Sequence, residues 1–533
     1  MCGIFGFIGK DSIDVDFRNR LIQEGNKMKH RGPDNTKELI VDTMFFMFHR
    51  LCINDLSDKG NQPMRLEQFP NVVLLCNGEI FNYHDLMSQH KFQVYSKSDC
   101  EIIIHMYMKY GIEETLRRLN GDYAFVLIDL EKNKKYMARD PFGIRSLYVG
   151  KTEKDEIVFG SELKSLTELC RDASQFEPGC YVDLNDMNHP KRFYEYVYTE
   201  TNDDHDTCLQ KIRTTLEDAV KRRLITDRPI GCLLSGGLDS SIIAAILTKH
   251  IKETNGNKLK TFSVGLKGSV DLEYAKKVSV YLNTEHYELI LEKDEMFDSI
   301  GDVIYNIESY DTTTVRASTP MYLLTKYIKE KFDIKVLFSG EGSDEASGSY
   351  LYFRNAPNKQ SFYEETVRLL KDLNYFDVLR GEKSIASWGL EARVPFLDKE
   401  FIEYYMSIDP ALKIPEKWNG VEKYLLRLAF EEYLPKDIAW RTKEAFSDGV
   451  SSKTESWYSI IQRKVNEQIT DEAFKEGSKK HVHNKPTLKE SLYYREIFSK
   501  HYQSFDKTIP YLWLPKWSGD VNDPSARILN CYD

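Results

Sequence analysis

Short apolar runs broken by glycine, proline and polar clusters dominate the first third of the chain. Runs at about 3–8, 44–53, 71–76, 80–83, 121–130 and 157–160 predict β-strands, with helical spacing between them. Such a unit is α+β and rich in strands. The polar stretch from Thr199 to Asp206 reads as an acidic connector separating two domains, 2–200 and 207–533. Beyond it strands and helices alternate: Ile230 to Leu234 predicts a buried strand, Ile242 to His250 an apolar helix, and Leu259 to Val264 and Lys335 to Phe338 two more strands. That alternation predicts an α/β domain on a parallel sheet. From about 350 to 500 the spacing is mostly helical, Lys475 to Lys489 reads as a mobile loop, and Tyr350, Tyr352, Phe353, Tyr375 and Phe376 read as packing residues.

Composition narrows the class. A chain of 533 residues with 41% apolar content can build more than one core. A formal net charge of −10 argues against nonspecific nucleic-acid binding, which needs clustered positive charge. No apolar run approaches the roughly 20 residues needed to cross a bilayer, and no charged segment leads into a signal core. The 9 cysteines are scattered without metal spacing, which suits a reducing cytosol better than a disulfide scaffold.

Candidate chemistry begins at Cys2, directly behind Met1. Removing Met1 would leave one residue with both a thiol and a free amine, a nucleophile carrying its own base. Standing alone, Cys2 reads as a small apolar residue opening a strand. Its companions change that: His30-Arg31-Gly32-Pro33-Asp34, His49-Arg50-Leu51, Asn77-Gly78-Glu79 and Ser98-Asp99 each interrupt an apolar run. Asn77-Gly78 reads as the two-residue turn of a hairpin, a geometry that would expose the Gly78 amide beside the Asn77 carboxamide as an oxyanion hole. Arg50 and Asp99 offer a carboxylate clamp and an ammonium partner, as recognition of an α-amino acid requires.

In the second half, Ser235-Gly236-Gly237-Leu238-Asp239-Ser240 lies between a strand and a helix start, an anion cradle of backbone amides and helix dipole. No Gly-Lys-Ser/Thr follows, so it is not a Walker loop. The strand ends at Val264 and at Ser339-Gly340-Glu341-Gly342-Ser343-Asp344 point to the same crevice. Asp239 and Asp344 are then hard oxygen ligands suited to Mg²⁺ bridging phosphates.

On these motifs, residues 2 to about 165 resemble the glutaminase domain of class II glutamine amidotransferases, a four-layer αββα sandwich of the Ntn-hydrolase type. The remainder resembles the ATP pyrophosphatase domain of the asparagine synthetases, in Arg316-Ala317-Ser318-Thr319-Pro320, Glu391-Ala392-Arg393-Val394-Pro395, Trp440 to Gly449 and the late Asp523-Pro524-Ser525-Ala526-Arg527. The resemblance implies a cytoplasmic, glutamine-dependent ligase, with ATP as co-substrate split to AMP and pyrophosphate, Mg²⁺ as cofactor, glutamine and aspartate as substrates, and a homodimeric assembly. It implies Cys2 as nucleophile, Asn77 and Gly78 on the oxyanion, and Arg50, Glu79 and Asp99 around glutamine. Toward ATP it implies Leu233, Ser235, Gly236, Gly237, Asp239, Ser240, Val264, Ser339 and Gly340. Lys443 falls on the phosphates, Glu341 takes the proton as ammonia attacks, and Arg316, Ser318 and Arg393 fall to the aspartate pocket. Where such proteins commonly carry glycines after the Ser339 loop, this chain has Ser347 and Ser349; a positive φ at Ser349 would strain the backbone and lower activity. Three readings stay open: this ligase or a relative that activates another carboxylate, a glutaminase with an impaired synthetase site, and a noncatalytic scaffold.

Overall fold

The computed structural model describes residues 1–254, 256–441, 446–452 and 455–526. Two six-stranded antiparallel sheets build the first half. One runs, in spatial order, Asp172–Gln175, Tyr148–Lys151, Ile157–Gly160, Gly3–Ile8, Met44–Arg50, Asn35–Val41. The other runs Lys191–Arg192, Cys180–Asp183, Lys134–Arg139, Gly121–Asp129, Phe69–Ile80, Met64–Leu66. Alternation assigns the faces: Val73 and Leu75 pack with Ile4, Phe46 and Phe48 between the sheets, while Val72 and Leu74 pack against Ile102 and Met106 of the Glu101–Arg118 helix. On the far side of the first sheet, Leu21 of the Val15–Asn26 helix joins Phe5 and Met47. The outcome is a helix, sheet, sheet, helix stack, the αββα order expected.

Asn77-Gly78 is not a hairpin turn. The runs read as two strands form one, Phe69–Ile80, paired with Gly121–Asp129 from Val72↔Asp129 to Ile80↔Gly121, with Asn77 opposite Ala124 and Gly78 opposite Tyr123. Local Asn-Gly preference loses to a long cross-strand ladder with both faces buried.

The second half is built on a five-stranded parallel sheet ordered Glu285–Leu291, Lys260–Leu266, Ile230–Leu233, Val336–Phe338, Glu391–Arg393. Numbered along the chain this is 3-2-1-4-5, so the order reverses between Ile230–Leu233 and Val336–Phe338. Crevices for ligands open at the carboxyl ends of strands at such a switch point. The acidic connector ends as a helix cap: the Asp204 carboxylate accepts the Thr207 amide (2.8 Å) at the start of His205–Arg222. Lys475 to Lys479, expected in a loop, close the Asp471–Lys479 helix capped by Thr470. Among the described residues, no helix is long and apolar enough to cross a membrane.

Candidate active sites

In the first site, Cys2 stands at the start of the first sheet and Asn77 lies on the Val73–Leu75 face of the second, which looks toward it. The Leu51 amide donates to Cys2 Sγ (3.4 Å), and the thiol donates to the Leu51 carbonyl (3.7 Å). Asn77 is fully buried, and both its side-chain nitrogen and oxygen lack a partner. Such an orphan calls for an explanation, and a donor reserved for a reacting oxygen supplies one. Gly78 is required for close approach, since a Cβ there would lie 2.3 Å from the Asp122 carbonyl and 2.6 Å from Tyr123 Cα.

Beside these lie two buried carboxylates. The Ile80 amide (2.6 Å) and the Asn54 amide (3.4 Å) donate to Asp99, and Asn54 also bonds Glu79. Burial raises Asp99 to about 6, and burial together with Asp99 pushes Glu79 well above the usual carboxylate range. The Arg50 guanidinium donates to the Ser57 carbonyl (2.7 Å), Asn61 Oδ1 (2.8 Å), the Asn54 carbonyl (3.3 Å) and the Asp55 carbonyl, so it braces the 54–61 loop; to take a substrate carboxylate it must give up part of this set. Asn54 was missed from sequence, where an isolated asparagine in a loop carries no signal.

Met1 is buried at this site. Its ammonium donates to the Leu390 carbonyl (3.1 Å), and burial lowers it to about 6. Burial also drives the Cys2 thiol up to about 12, so the chain that retains Met1 holds a protonated, weak nucleophile.

The second site is a cavity at the sheet's switch point. Leu233, Ser235, Gly237, Asp239, Ser240, Val264, Ser339, Gly340, Glu341 and Asp344 line it. Gly236 turns behind them at φ +75°, where a Cβ would lie 2.3 Å from the Ala275 nitrogen; Arg441 holds its carbonyl (3.1 Å) and Asp271 (2.9 Å). The two loops meet directly, for a Cβ on Gly340 would lie 2.9 Å from the Ser240 nitrogen.

Asp239 and Asp344 converge on one point, Lys423 Nζ, at 2.6 and 2.5 Å. Two carboxylates aimed at one positive charge are hard oxygen donors of the kind that hold Mg²⁺ beside phosphates. Ser343 donates to Asp239 (2.7 Å), and Ser349 donates to Asp344. The strain expected at Ser349 is absent: the left-handed conformation falls on Gly348 (φ +59°), and the Ser347 hydroxyl bonds back to the Ser343 carbonyl (2.5 Å).

Glu341 pairs with Arg380, which also holds Asp377 (2.6 Å). Tyr350 donates to Glu345 and lies 3.2 Å from Asp377. Burial and Asp377 raise Glu345 well above its usual range, whereas at Asp377 burial is outweighed by Arg380 together with the hydrogen bond from Glu345, and its carboxyl is held low. This acidic group with its arginine lines the cavity, and so does Lys423. Sequence reasoning found no motif for Lys423, Arg380 or Asp377, each a single charged residue in a helical region, whereas Glu345 closes the Ser339 loop and was given no role.

Three residues expected around aspartate do not line this cavity. Arg316 is buried between Glu490 (2.6 Å) and Asp523 (2.8 Å), and Ser318 is buried without a partner for its hydroxyl; neither lines the cavity. Arg393 donates to Glu391 (3.0 Å) and to the carbonyls of Arg223 and Ile225, and lies 3.8 Å from Glu79, against the first site. Lys443 lies outside the described residues.

Two family profiles match the chain: one described as a glutamine amidotransferase domain over residues 1–212, the other as asparagine synthase over 211–365 and 354–520. Among curated proteins, the asparagine synthetase [glutamine-hydrolyzing] of Gallus gallus is 42% identical over 564 aligned positions, covering 100% of this chain and 99% of its own. Those of Mus musculus and Homo sapiens are 41% and 40% identical with the same coverage.

Proposed function

Since the chain belongs to the family of glutamine-hydrolysing asparagine synthetases, we propose that its two sites act in sequence, the first releasing ammonia from glutamine and the second using it to amidate an aspartate activated by ATP. In this reading the domain boundary lies between 200 and 207, and the start of the His205–Arg222 helix within that interval supports it. The observation that carries the reading is the closure of two loops on one locus at the switch point, where Asp239 and Asp344 share Lys423.

Once Met1 is removed, the α-amine on Cys2 accepts the thiol proton as sulfur attacks the glutamine carboxamide. The oxyanion that forms is met by the Asn77 carboxamide and the Gly78 amide. Glu79 and Asp99 face the substrate ammonium and Arg50 its carboxylate. Glutamate leaves after hydrolysis of the thioester, and ammonia passes to the second site.

There the β-carboxylate of aspartate attacks the α-phosphorus of ATP, giving β-aspartyl-AMP and pyrophosphate. Asp239 and Asp344 would hold Mg²⁺, which neutralises charge on the pyrophosphate when bound. Leu233, Val264 and Gly340 line the nucleotide's side of the cavity, and the resemblance assigns Lys443 to its phosphates. Arg380 with Asp377 and Glu345 offers the opposite charges an α-amino acid carries, in place of Arg316, Ser318 and Arg393. Ammonia attacks the acyl-adenylate, AMP departs, and Glu341 takes the proton.

The 8 described cysteines are free, which supports a reducing cytoplasm; a homodimer is the expected assembly. Product analysis on Met1-processed protein tests the function. Asparagine, AMP and pyrophosphate formed in equal amounts from glutamine, aspartate and ATP support it. Glutamate alone would mean an impaired synthetase site, and no turnover a scaffold.

A further inference from the structure

A buried ionic network joins the two halves, and one of its members reaches the nucleophile. Arg31 is fully buried, and its Nε donates to the Cys2 carbonyl (2.9 Å). Its terminal nitrogens pair with Glu162 (3.0 Å) and with Glu382. Glu162 is shared with Lys164 (2.9 Å) and His30 (3.3 Å), whereas Glu382 meets Arg31 through both oxygens and has the Ser146 hydroxyl 3.2 Å from one of them.

Glu382 belongs to the Asp377–Ala386 helix, which is part of the second half. That helix also carries Arg380, paired with Glu341 in the synthetase cavity, and Lys383, paired with Glu308. Glu308 in turn accepts the Leu163 and Lys164 amides of the first half (both 2.8 Å). One helix therefore faces both sites.

The clamp matters because of where Cys2 stands. After Met1 is lost, no peptide precedes Cys2, and its backbone is restrained from one side alone. The carbonyl held by Arg31 then lies between the free end and the strand, next to the bond about which the thiol swings. An arginine forks rigidly toward carboxylates, so the direction of its Nε is set by the two acids that hold its far end. Burial opposes the charge on Arg31, and Glu382 and Glu162 outweigh it.

We propose that Glu382, supplied by the synthetase half, is a positioning residue for the glutaminase nucleophile: by fixing Arg31 it sets the orientation of Cys2. This rests on the reading of Cys2 as the nucleophile. Removing one member of a positioning chain costs rate through misplacement, and displacement of about 1 Å can cost about a hundredfold.

The test is Glu382→Gln in the full-length, Met1-processed enzyme. Glutaminase kcat should fall about tenfold or more while KM for glutamine changes less than about threefold. The rate of Cys2 alkylation by a chloroketone analogue of glutamine should fall with it, and synthesis from added ammonia should stay within about twofold. In an Arg31→Met background, Glu382→Gln should have no further effect, because a broken clamp cannot be broken twice. Ser146→Ala, a milder change, should lower the same kcat by a few-fold and covers the case in which Glu382→Gln does not fold. Unchanged glutaminase in Glu382→Gln, or in Ser146→Ala should that variant be needed, would overturn the proposal. So would equal loss of ammonia-dependent synthesis, or independent effects of Arg31→Met and Glu382→Gln. Glutamine hydrolysis persisting in Cys2→Ala would instead defeat the reading beneath it.

Discussion

Replacing Asn77 with alanine should cost activity heavily while leaving stability nearly unchanged. The side chain is fully buried and both of its polar atoms are unpartnered, so the folded protein carries an uncompensated desolvation of about 1–3 kcal/mol for each. Alanine removes that burden and leaves a small cavity, and the two effects nearly cancel. Unfolding of the glutaminase half in urea should therefore shift by less than about 1 kcal/mol, and Asn77→Leu, which refills the space, should be stabilised. In the transition state the same carboxamide meets an oxyanion, and loss of one such donor costs about 100- to 1,000-fold in kcat, or about 2.7–4 kcal/mol. Glutamate release at saturating glutamine measures the loss, and asparagine formed from ammonia is the internal control. Glutaminase within about threefold of the parent, or a destabilisation above about 3 kcal/mol, would refute the reasoning, since the first denies the oxyanion role and the second gives the side chain a structural one.

Two further outcomes follow from the geometry. Asp99 titrates at about 6 in the folded chain against an ordinary 3.8, so its ammonium-binding form disappears as pH falls through 6. KM for glutamine should rise about tenfold per unit below that value, and a flat KM down to pH 5 would contradict it. The sign for stability is opposite: the folded state holds this proton more tightly, so the contribution of Asp99 weakens as pH rises from about 4 to about 6. Ser349→Gly should raise the Mg²⁺ concentration for half-maximal synthesis several-fold without touching glutaminase, because the Ser349 hydroxyl orients Asp344. An unchanged Mg²⁺ dependence, measured also as Mn²⁺ binding in the presence of a nonhydrolysable ATP analogue, would leave Ser349 with no part in the site.

What could be read from sequence tracks how local the cause is. Three of the five parallel strands, Ile230–Leu233, Lys260–Leu266 and Val336–Phe338, were legible because each is a short apolar run closed by glycine or serine, and their loops carry the chemistry at their own ends; Glu285–Leu291 and Glu391–Arg393, which begin on a glutamate, were not. Phe69–Ile80 was misread because a two-residue preference at Asn77-Gly78 was weighed without the partner strand that overrides it. The short edge strands Asp172–Gln175 and Lys191–Arg192 left no pattern, being polar and held by one neighbour. The pairing of Arg316 was hidden for a different reason: its partners Glu490 and Asp523 lie far along the chain, and nothing near Arg316 announces them. Lys423 and Glu382 are equally silent, since each gains its meaning from charges that only the tertiary fold brings within reach.

Division of labour between two pockets is the central claim, and Cys2→Ala in the full-length chain meets it most directly. Assayed in parallel with glutamine and with ammonium chloride as nitrogen donor, the variant should form no asparagine from glutamine while keeping synthesis, AMP and pyrophosphate release from ammonia at the parent rate. Loss of both activities together, in a protein that remains folded, would contradict the account.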